Sequence, residues 1–272
     1  MKNEAEEKVA KFYSEKGWEV VDGVTKDAQL YEDFRDNAID YVIKCRKRVQ
    51  QYIPESGGEN ILDVGSGAVQ FKEYQDYSKA FKKRWCNDLS QMGLDEAKKR
   101  IGDHGVFLHG SFFDLDLKPD FFDCTISLHC IYHMDKDKQE EAVRKMIRVT
   151  KPGHRVVIVY ANPRTLIFYL KVPVKILKRL VGLFKQKKAK EEVDLYYFVH
   201  TVGWWKRFRD VADVKLVPWR SFRSDDQKKL IPNSNFGKKI FDTLYNWENN
   251  YPGFFVRFFE YPLIILTKKG DA

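Results

Sequence analysis

Asn60-Ile61-Leu62-Asp63-Val64-Gly65-Ser66-Gly67 constrains this chain more than any other stretch. A nearly unbroken apolar run leads into two glycines separated by one residue. Such a run suits a short strand covered on both faces. Gly65 and Gly67 remove the Cβ where a ligand must approach the backbone. Asp63 brings a carboxylate to the carboxyl end of the strand, which is where ligands bind in an open α/β sheet. A dinucleotide fingerprint would continue as Gly-x-Gly-x-x-Gly. Gln70 stands where the third glycine belongs, which disfavours a nicotinamide dehydrogenase. A nucleoside ligand without a pyrophosphate remains.

Leu62-Asp63-Val64-Gly65-Ser66-Gly67 resembles the first motif of the class I S-adenosylmethionine-dependent methyltransferases, L-D-x-G-x-G. The following chain keeps the order of that family. A short strand around residues 84–87 ends in Asp88, and Ser90 is placed to cap a helix running to about Arg100. Residues 106–109 and 122–129 read as strands three and four. Residues 135–149 read as a helix, and Lys151-Pro152-Gly153 then leads into strand five at 155–160. Gly203–Ala212 reads as a helix, 214–219 as strand six and 260–268 as strand seven. The resemblance implies a doubly wound α/β fold with a seven-stranded, mostly parallel sheet and an antiparallel last strand. A helical cap would come from the N-terminus and two insertions. The implied division is a lid over 1–54, a cofactor-binding core over 55–162 and a cap insertion over 163–200. Core again over 201–223, a second insertion over 224–258 and the last strand over 259–272 complete it.

The flanking segments carry weaker signals. Val9, Phe12 and Tyr13 favour a helix over 4–16. Leu30, Phe34, Ala38, Tyr41, Cys45 and Val49 recur at helical spacing and predict one helix from about Ala28 to Tyr52. Arg46, Lys47 and Arg48 read as its solvated face. Residues 165–184 have apolar residues at helical spacing beside Lys171, Lys175, Lys178 and Arg179. A cap helix packed on the core is the preferred reading; the alternative is an interfacial helix on anionic lipid.

Composition narrows the class. The chain has 272 residues, 43% of them hydrophobic, enough for a substantial core. No apolar run reaches the ~18 residues of a membrane span, and the charged start has no apolar signal core, so a cytoplasmic protein is expected. The four cysteines include no C-x-x-C pair, and no metal site is expected. The net charge of +9 permits nucleic acid, a membrane surface or an acidic small molecule as partner.

By resemblance, Asp63, Gly65, Ser66 and Gly67 would hold the methionine end of S-adenosylmethionine, with S-adenosylhomocysteine as product. Asp88, with Leu89 after it, would take the ribose. Ser111 stands where the family often has Asp, and with Phe112 would flank the adenine. Leu128 and His129, ending strand four, would face the methyl group. His129 is the candidate base, since an unperturbed imidazole titrates near pH ~6.5 and is neutral at pH 7. His133 reads as structural. Tyr13 and His200 are further catalytic candidates, and with Tyr197 they lie in segments able to close over the site. An Asn/Asp-Pro-Pro-aromatic motif for base amino groups is absent after strand four, and no cysteine follows a proline. These absences favour a small-molecule, sugar or lipid-linked acceptor, methylated at oxygen rather than nitrogen. An RNA methyltransferase and a non-catalytic cofactor-binding protein are the alternatives.

Overall fold

The computed structural model describes residues 4–170 and 195–270, with Pro173 and Leu177 between them. Lys171, Lys175, Lys178 and Arg179 lie outside the described residues, so the reading of 165–184 is carried only by its first turns. Residues 166–170 are helical.

Seven strands form the central sheet: β3 (Gly58–Val64), β4 (Phe81–Asp88), β5 (Gly105–His109), β6 (Phe122–Leu128), β7 (Thr150–Val159), β8 (Ala212–Arg220) and β9 (Tyr261–Lys268). A small hairpin, β1 (Val20–Val21) and β2 (Val24–Thr25), precedes them. The order across the sheet is β5-β4-β3-β6-β7-β9-β8. All pairs are parallel except those of β9, which runs antiparallel to both β7 and β8. The expected mostly parallel sheet with an antiparallel last strand is therefore present. The strand order reverses between β3 and β6, and a crevice opens at the carboxyl ends of strands at such a point.

The apolar strand sequences are explained by burial on both faces. Leu62, Val156, Ile158, Ile264 and Leu266 pack on one side with α6 (Gln139–Val149) and the 3₁₀ helix Val202–Asp210, which supplies Trp205 and Phe208. Ile61, Cys124, Ile126, Val157, Val159 and Ile265 pack on the other side with Val49 and Ile53. Neighbouring residues of one strand thus enter different cores, each fully buried aliphatic side chain contributing about 1.5–3 kcal/mol. The expected Gly203–Ala212 helix is the 3₁₀ helix, which begins one residue earlier and ends two residues earlier.

The N-terminal segment departs from expectation. α1 (Glu4–Phe12) continues as a π-helical turn over Tyr13–Gly17. The single helix expected over 28–52 is two, α2 (Lys26–Tyr31) and α3 (Ile39–Gln50). Glu32 is extended, and Asp33 accepts both the backbone N–H and the guanidinium of Arg35, giving the backbone a local alternative to the helix. Leu30 and Phe34, counted as apolar-face residues, are exposed.

The expected solvated face of α3 is also corrected. Arg46 and Arg48 are each only 3% exposed, while Lys47 faces solvent. Arg48 pairs with Glu248 at 2.7 Å and donates to the Trp219 carbonyl at 2.9 Å. Arg46 lies 3.1 Å from Glu32 and stacks over Phe71. Glu248 belongs to α8 (Asn235–Asn250), which with α7 (Ser224–Leu230) and α9 (Pro252–Phe258) fills the second insertion. α3, α8 and α9 share a small core of Tyr41, Cys45, Phe241, Leu244 and Phe255.

Candidate active site

The glycine turn after β3 is shaped by what crowds it. Gly65 has φ +69°, and a Cβ there would lie 2.2 Å from Cys130 Sγ. Gly67 has φ +51°, and a Cβ there would lie 2.1 Å from the Trp18 ring. Trp18 comes from the N-terminal segment and stacks on Tyr13, ring centroids 5.0 Å apart. The turn is therefore closed from outside by an aromatic pair that only a glycine admits. Tyr13 reaches Asp27 Oδ1 at 3.4 Å, and Gln70 donates to Asp27 Oδ2 at 3.0 Å. These bonds tie the N-terminal segment to the chain just beyond the turn.

A cavity of about 470 Å³ opens at the carboxyl ends of β3, β4 and β6, a size within the usual range for small-molecule sites. Asp63, Gly65, Ser66, Asp88, Leu89, Phe112, Leu128, His129 and Tyr13 all line it. Three expected residues do not. Gly67 is covered by Trp18 and offers its backbone N–H to Asp88. The Ser111 hydroxyl donates to Glu6 at 2.6 Å, and Glu6 rather than Ser111 lines the cavity. His200 stacks on Trp204 with centroids 4.4 Å apart, its backbone N–H on the Tyr160 hydroxyl, and its ring is outside the cavity.

Burial sets the charges. Asp63 pairs with Arg84 at 2.5 Å, yet burial outweighs that cation and raises its pKa. Asp88 accepts backbone N–H groups from Gly67 and Ser90, both at 2.8 Å, while burial pushes its carboxyl up to about 6. Burial likewise moves Asp27 to about 6. His129 sits in the left-handed region at φ 59°, an uncommon conformation for a non-glycine residue and one that clusters at functional sites. Its Nδ1 lies 2.9 Å from the Tyr132 hydroxyl, and its ring meets the edges of Trp219 and Tyr261. Burial first and Arg220 second hold the imidazole well below its usual range. His133 lies at the same wall, its Nδ1 2.7 Å from the Tyr196 carbonyl and its pKa lowered by burial to about 4.

Several lining residues had no sequence signal. Trp18, Asp27, Arg220, Arg223 and Tyr261 reach the cavity from distant parts of the chain. Gln70 was legible only as a missing glycine. Five residues lining the cavity each have a buried polar atom with no protein partner among the described residues: Asp63 Oδ1, Ser66 Oγ and Trp18 Nε1 near the glycine turn, and Arg84 Nε and Arg220 Nε. Two acceptors and a donor beside a glycine turn suit the amino and carboxylate groups of an amino-acid-bearing nucleoside. The donor set therefore fits S-adenosylmethionine.

Comparison with known proteins agrees. Residues 62–158 match the family model described as a methyltransferase domain. Among solved structures, the chain is similar to geranyl diphosphate C-methyltransferase from Streptomyces coelicolor A3(2), at 14% identity and TM-score 0.56. That match covers 98% of this chain and all of the other. Magnesium protoporphyrin IX methyltransferase from Synechocystis PCC 6803, solved with S-adenosylhomocysteine, matches at 13% identity and TM-score 0.55 over 98% of this chain and 100% of that one. A methyltransferase in complex with the Haloferax volcanii Trm112 activator matches at 17% identity and TM-score 0.52, covering 86% and 92%. At these identities the structures establish the fold. No curated protein matches the chain in sequence. Sheet order, glycine turn and matched domain together define a methyltransferase with a nucleoside cofactor. Residues 62–158 carry the methyltransferase domain, and the sheet around them has the fold of the methyltransferase structures it resembles.

Proposed function

We propose that this enzyme methylates a small-molecule, sugar or lipid-linked acceptor, at oxygen rather than nitrogen. The observation that carries the reading is the continuity of the cavity. From the glycine turn and Asp88 it runs on among Tyr74, Tyr132, Tyr197 and Tyr261 to His129. One chamber of about 470 Å³ takes both cofactor and acceptor, which favours an acceptor that enters whole.

S-adenosylmethionine supplies a methyl group on a sulfonium, already activated for displacement. The chain's own residues bind, orient and exclude water. In this reading Asp63, Gly65 and Ser66 hold the methionine end, Asp88 and Leu89 the ribose, and Phe112 and Leu128 the remaining apolar surface, while Gly67 supports the turn through its N–H to Asp88. Tyr13 and Trp18 close the chamber. His129 takes the proton of the acceptor hydroxyl. Residues 1–54, 163–200 and 224–258 act as cover over a core formed by 55–162, 201–223 and 259–272. We place the enzyme in the cytoplasm; no described helix is long and apolar enough to cross a membrane.

The test is product formation from S-adenosylmethionine with panels of sugars, phenols, lipid-linked saccharides and RNA, read by mass spectrometry. Methylated sugar or phenol oxygens support the reading. Preferential methylation of RNA with steep loss at high salt would replace it with nucleic-acid methylation. Tight S-adenosylhomocysteine binding with no product in any class would make the chain a binder without turnover.

A further inference from the structure

We propose that the acceptor carries an anionic group, a carboxylate or a phosphate, anchored by Arg223 with Arg220 and Tyr197. This deepens the function proposed above and rests on it. Arg220 ends β8, Arg223 precedes α7, and both line the chamber beyond the cofactor residues.

Arg220 is 3% exposed. Its Nη1 donates to Glu32 Oε2 at 3.0 Å, while its Nε is buried with no partner among the described residues. Glu32 is shared, since Arg46 lies 3.1 Å from the same oxygen. A buried guanidinium with an unmet donor is costly, and a ligand oxygen would relieve that cost.

Arg223 is arranged differently. Its Nε and Nη2 both point at one oxygen, Glu260 Oε1, at 2.6 and 2.5 Å. The pair fixes the guanidinium in place while leaving its Nη1–Nη2 edge to form a fork. The side chain is 51% exposed, and the Tyr197 hydroxyl lies 3.5 Å from Nη2. A fixed guanidinium edge beside a phenol matches the paired oxygens of a carboxylate or phosphate. Asp225 lines the same chamber, so recognition comes from the fork and not from a broad positive field.

The anchor also bears on the candidate base. The Arg220 guanidinium lies over Trp219 and Tyr261, 4.7 and 5.4 Å from their centroids. His129 packs against the same two rings, at 4.6 and 5.2 Å. An acceptor held by its anion at one side of this aromatic wall places its remaining atoms along the wall toward His129.

The experiment uses the full chain saturated with S-adenosylhomocysteine, and ligand-observed saturation-transfer NMR with benzoate, phenyl phosphate and benzamide. Benzoate or phenyl phosphate should bind while neutral benzamide does not, and whichever anion binds tells carboxylate from phosphate. Arg223→Gln combined with Glu260→Gln, which avoids orphaning a buried carboxylate, should weaken the anion by about tenfold or more. S-adenosylhomocysteine affinity should stay unchanged, which also reports folding. Tyr197→Phe, at an exposed position, should give a smaller loss in the same direction. Equal binding of benzamide, no binding of either anion, or unchanged anion affinity in the double variant would overturn the proposal. Failure of the wild-type chain to bind S-adenosylhomocysteine is a separate failure, that of the cofactor reading.

Discussion

Asp88 Oδ2 accepts the backbone N–H of Gly67 at 2.8 Å. That bond joins the end of β4 to the turn after β3. It also places a carboxylate where burial opposes its charge. The carboxyl is pushed up to about 6, against about 3.9 for an unperturbed Asp. Between those values the unliganded native state holds a proton that the unfolded chain has lost. Asp88's contribution to the stability of the unliganded chain therefore falls as pH rises from about 4 to 6, by an amount on the order of 3 kcal/mol.

Cofactor binding should reverse that sign. Ribose hydroxyls donating to Asp88 favour its charged form, so binding expels the proton. S-adenosylhomocysteine affinity should rise roughly tenfold between pH 5 and 7. Asp88→Ala should weaken binding at pH 7 by at least about tenfold, from the loss of two charge-assisted bonds. It should also flatten the pH slope. Asp27 also titrates at about 6, so Asp27→Asn is the control and should keep the slope. Calorimetry at several pH values checks this; a slope that survives Asp88→Ala would sink the ribose role.

Gly67 and Trp18 form the second testable pair. Alanine at position 67 meets a left-handed backbone and the Trp18 ring 2.1 Å away. The backbone term alone costs about 1–2 kcal/mol. Gly67→Ala should lower the urea midpoint, displace Trp18 and weaken S-adenosylhomocysteine. Adding Trp18→Gly should recover the part due to the clash and leave the part due to φ. Strict additivity of the two substitutions in unfolding free energy would mean that the ring does not press on the turn.

The sequence and the structure agree most closely where a signal is local. The apolar run before Gly65 and the Ser90 cap each act within a few residues and stand where they were expected, whereas Lys151-Pro152-Gly153, expected between helix and strand, is already part of β7 (Thr150–Val159). The Ser90 hydroxyl accepts the Gly93 N–H at 3.3 Å. What was missed depends on distant partners. Arg46 and Arg48 look like a surface stripe until Glu32, Glu248 and the Trp219 carbonyl come into contact with them. The break between α2 and α3 follows from Asp33, whose carboxylate holds Arg35 while Arg35 reaches the Ile231 carbonyl. Arg220 and Tyr261 carry no motif. They reach the cavity because antiparallel β9 brings the end of the chain back beside β7 and β8.

Arg84 and Asp63 allow a stability prediction. The pair is almost wholly buried, its guanidinium 2.5 Å from Asp63 Oδ2. Removing one partner leaves a buried charge uncompensated, which costs about 3–5 kcal/mol. Arg84→Met should therefore destabilise strongly and raise the Asp63 pKa further, with the loss growing as pH rises and Asp63 is forced to ionise. Arg84→Met combined with Asp63→Asn should recover most of the stability. It should not recover cofactor affinity, because the amide removes the carboxylate charge behind Asp63 Oδ1, the oxygen without a protein partner at the cavity. Denaturant unfolding with calorimetry on both variants separates the two roles.

The last prediction concerns His129 and its tautomer. Nδ1 lies 2.9 Å from the Tyr132 hydroxyl, and either atom can donate. If Tyr132 donates, Nε2 carries the ring proton and cannot accept another. If Nδ1–H donates, Nε2 holds a lone pair and is a base. Burial and Arg220 keep the ring neutral at pH 7, so the acidic limb of turnover should fall well below pH ~6.5, the value expected of an unperturbed imidazole. His129→Ala should lower turnover by about 10²–10⁴ with cofactor affinity nearly unchanged. Tyr132→Phe should cost less, since it unbalances the tautomers without removing the base. His133 is the built-in comparison. Its Nδ1–H donates to the Tyr196 carbonyl at 2.7 Å, so its Nε2 is an acceptor. A large loss in His133→Ala with near-normal turnover in His129→Ala would transfer the role to His133. Losses below about tenfold in both would mean that the acceptor arrives as a free nucleophile and neither imidazole takes its proton.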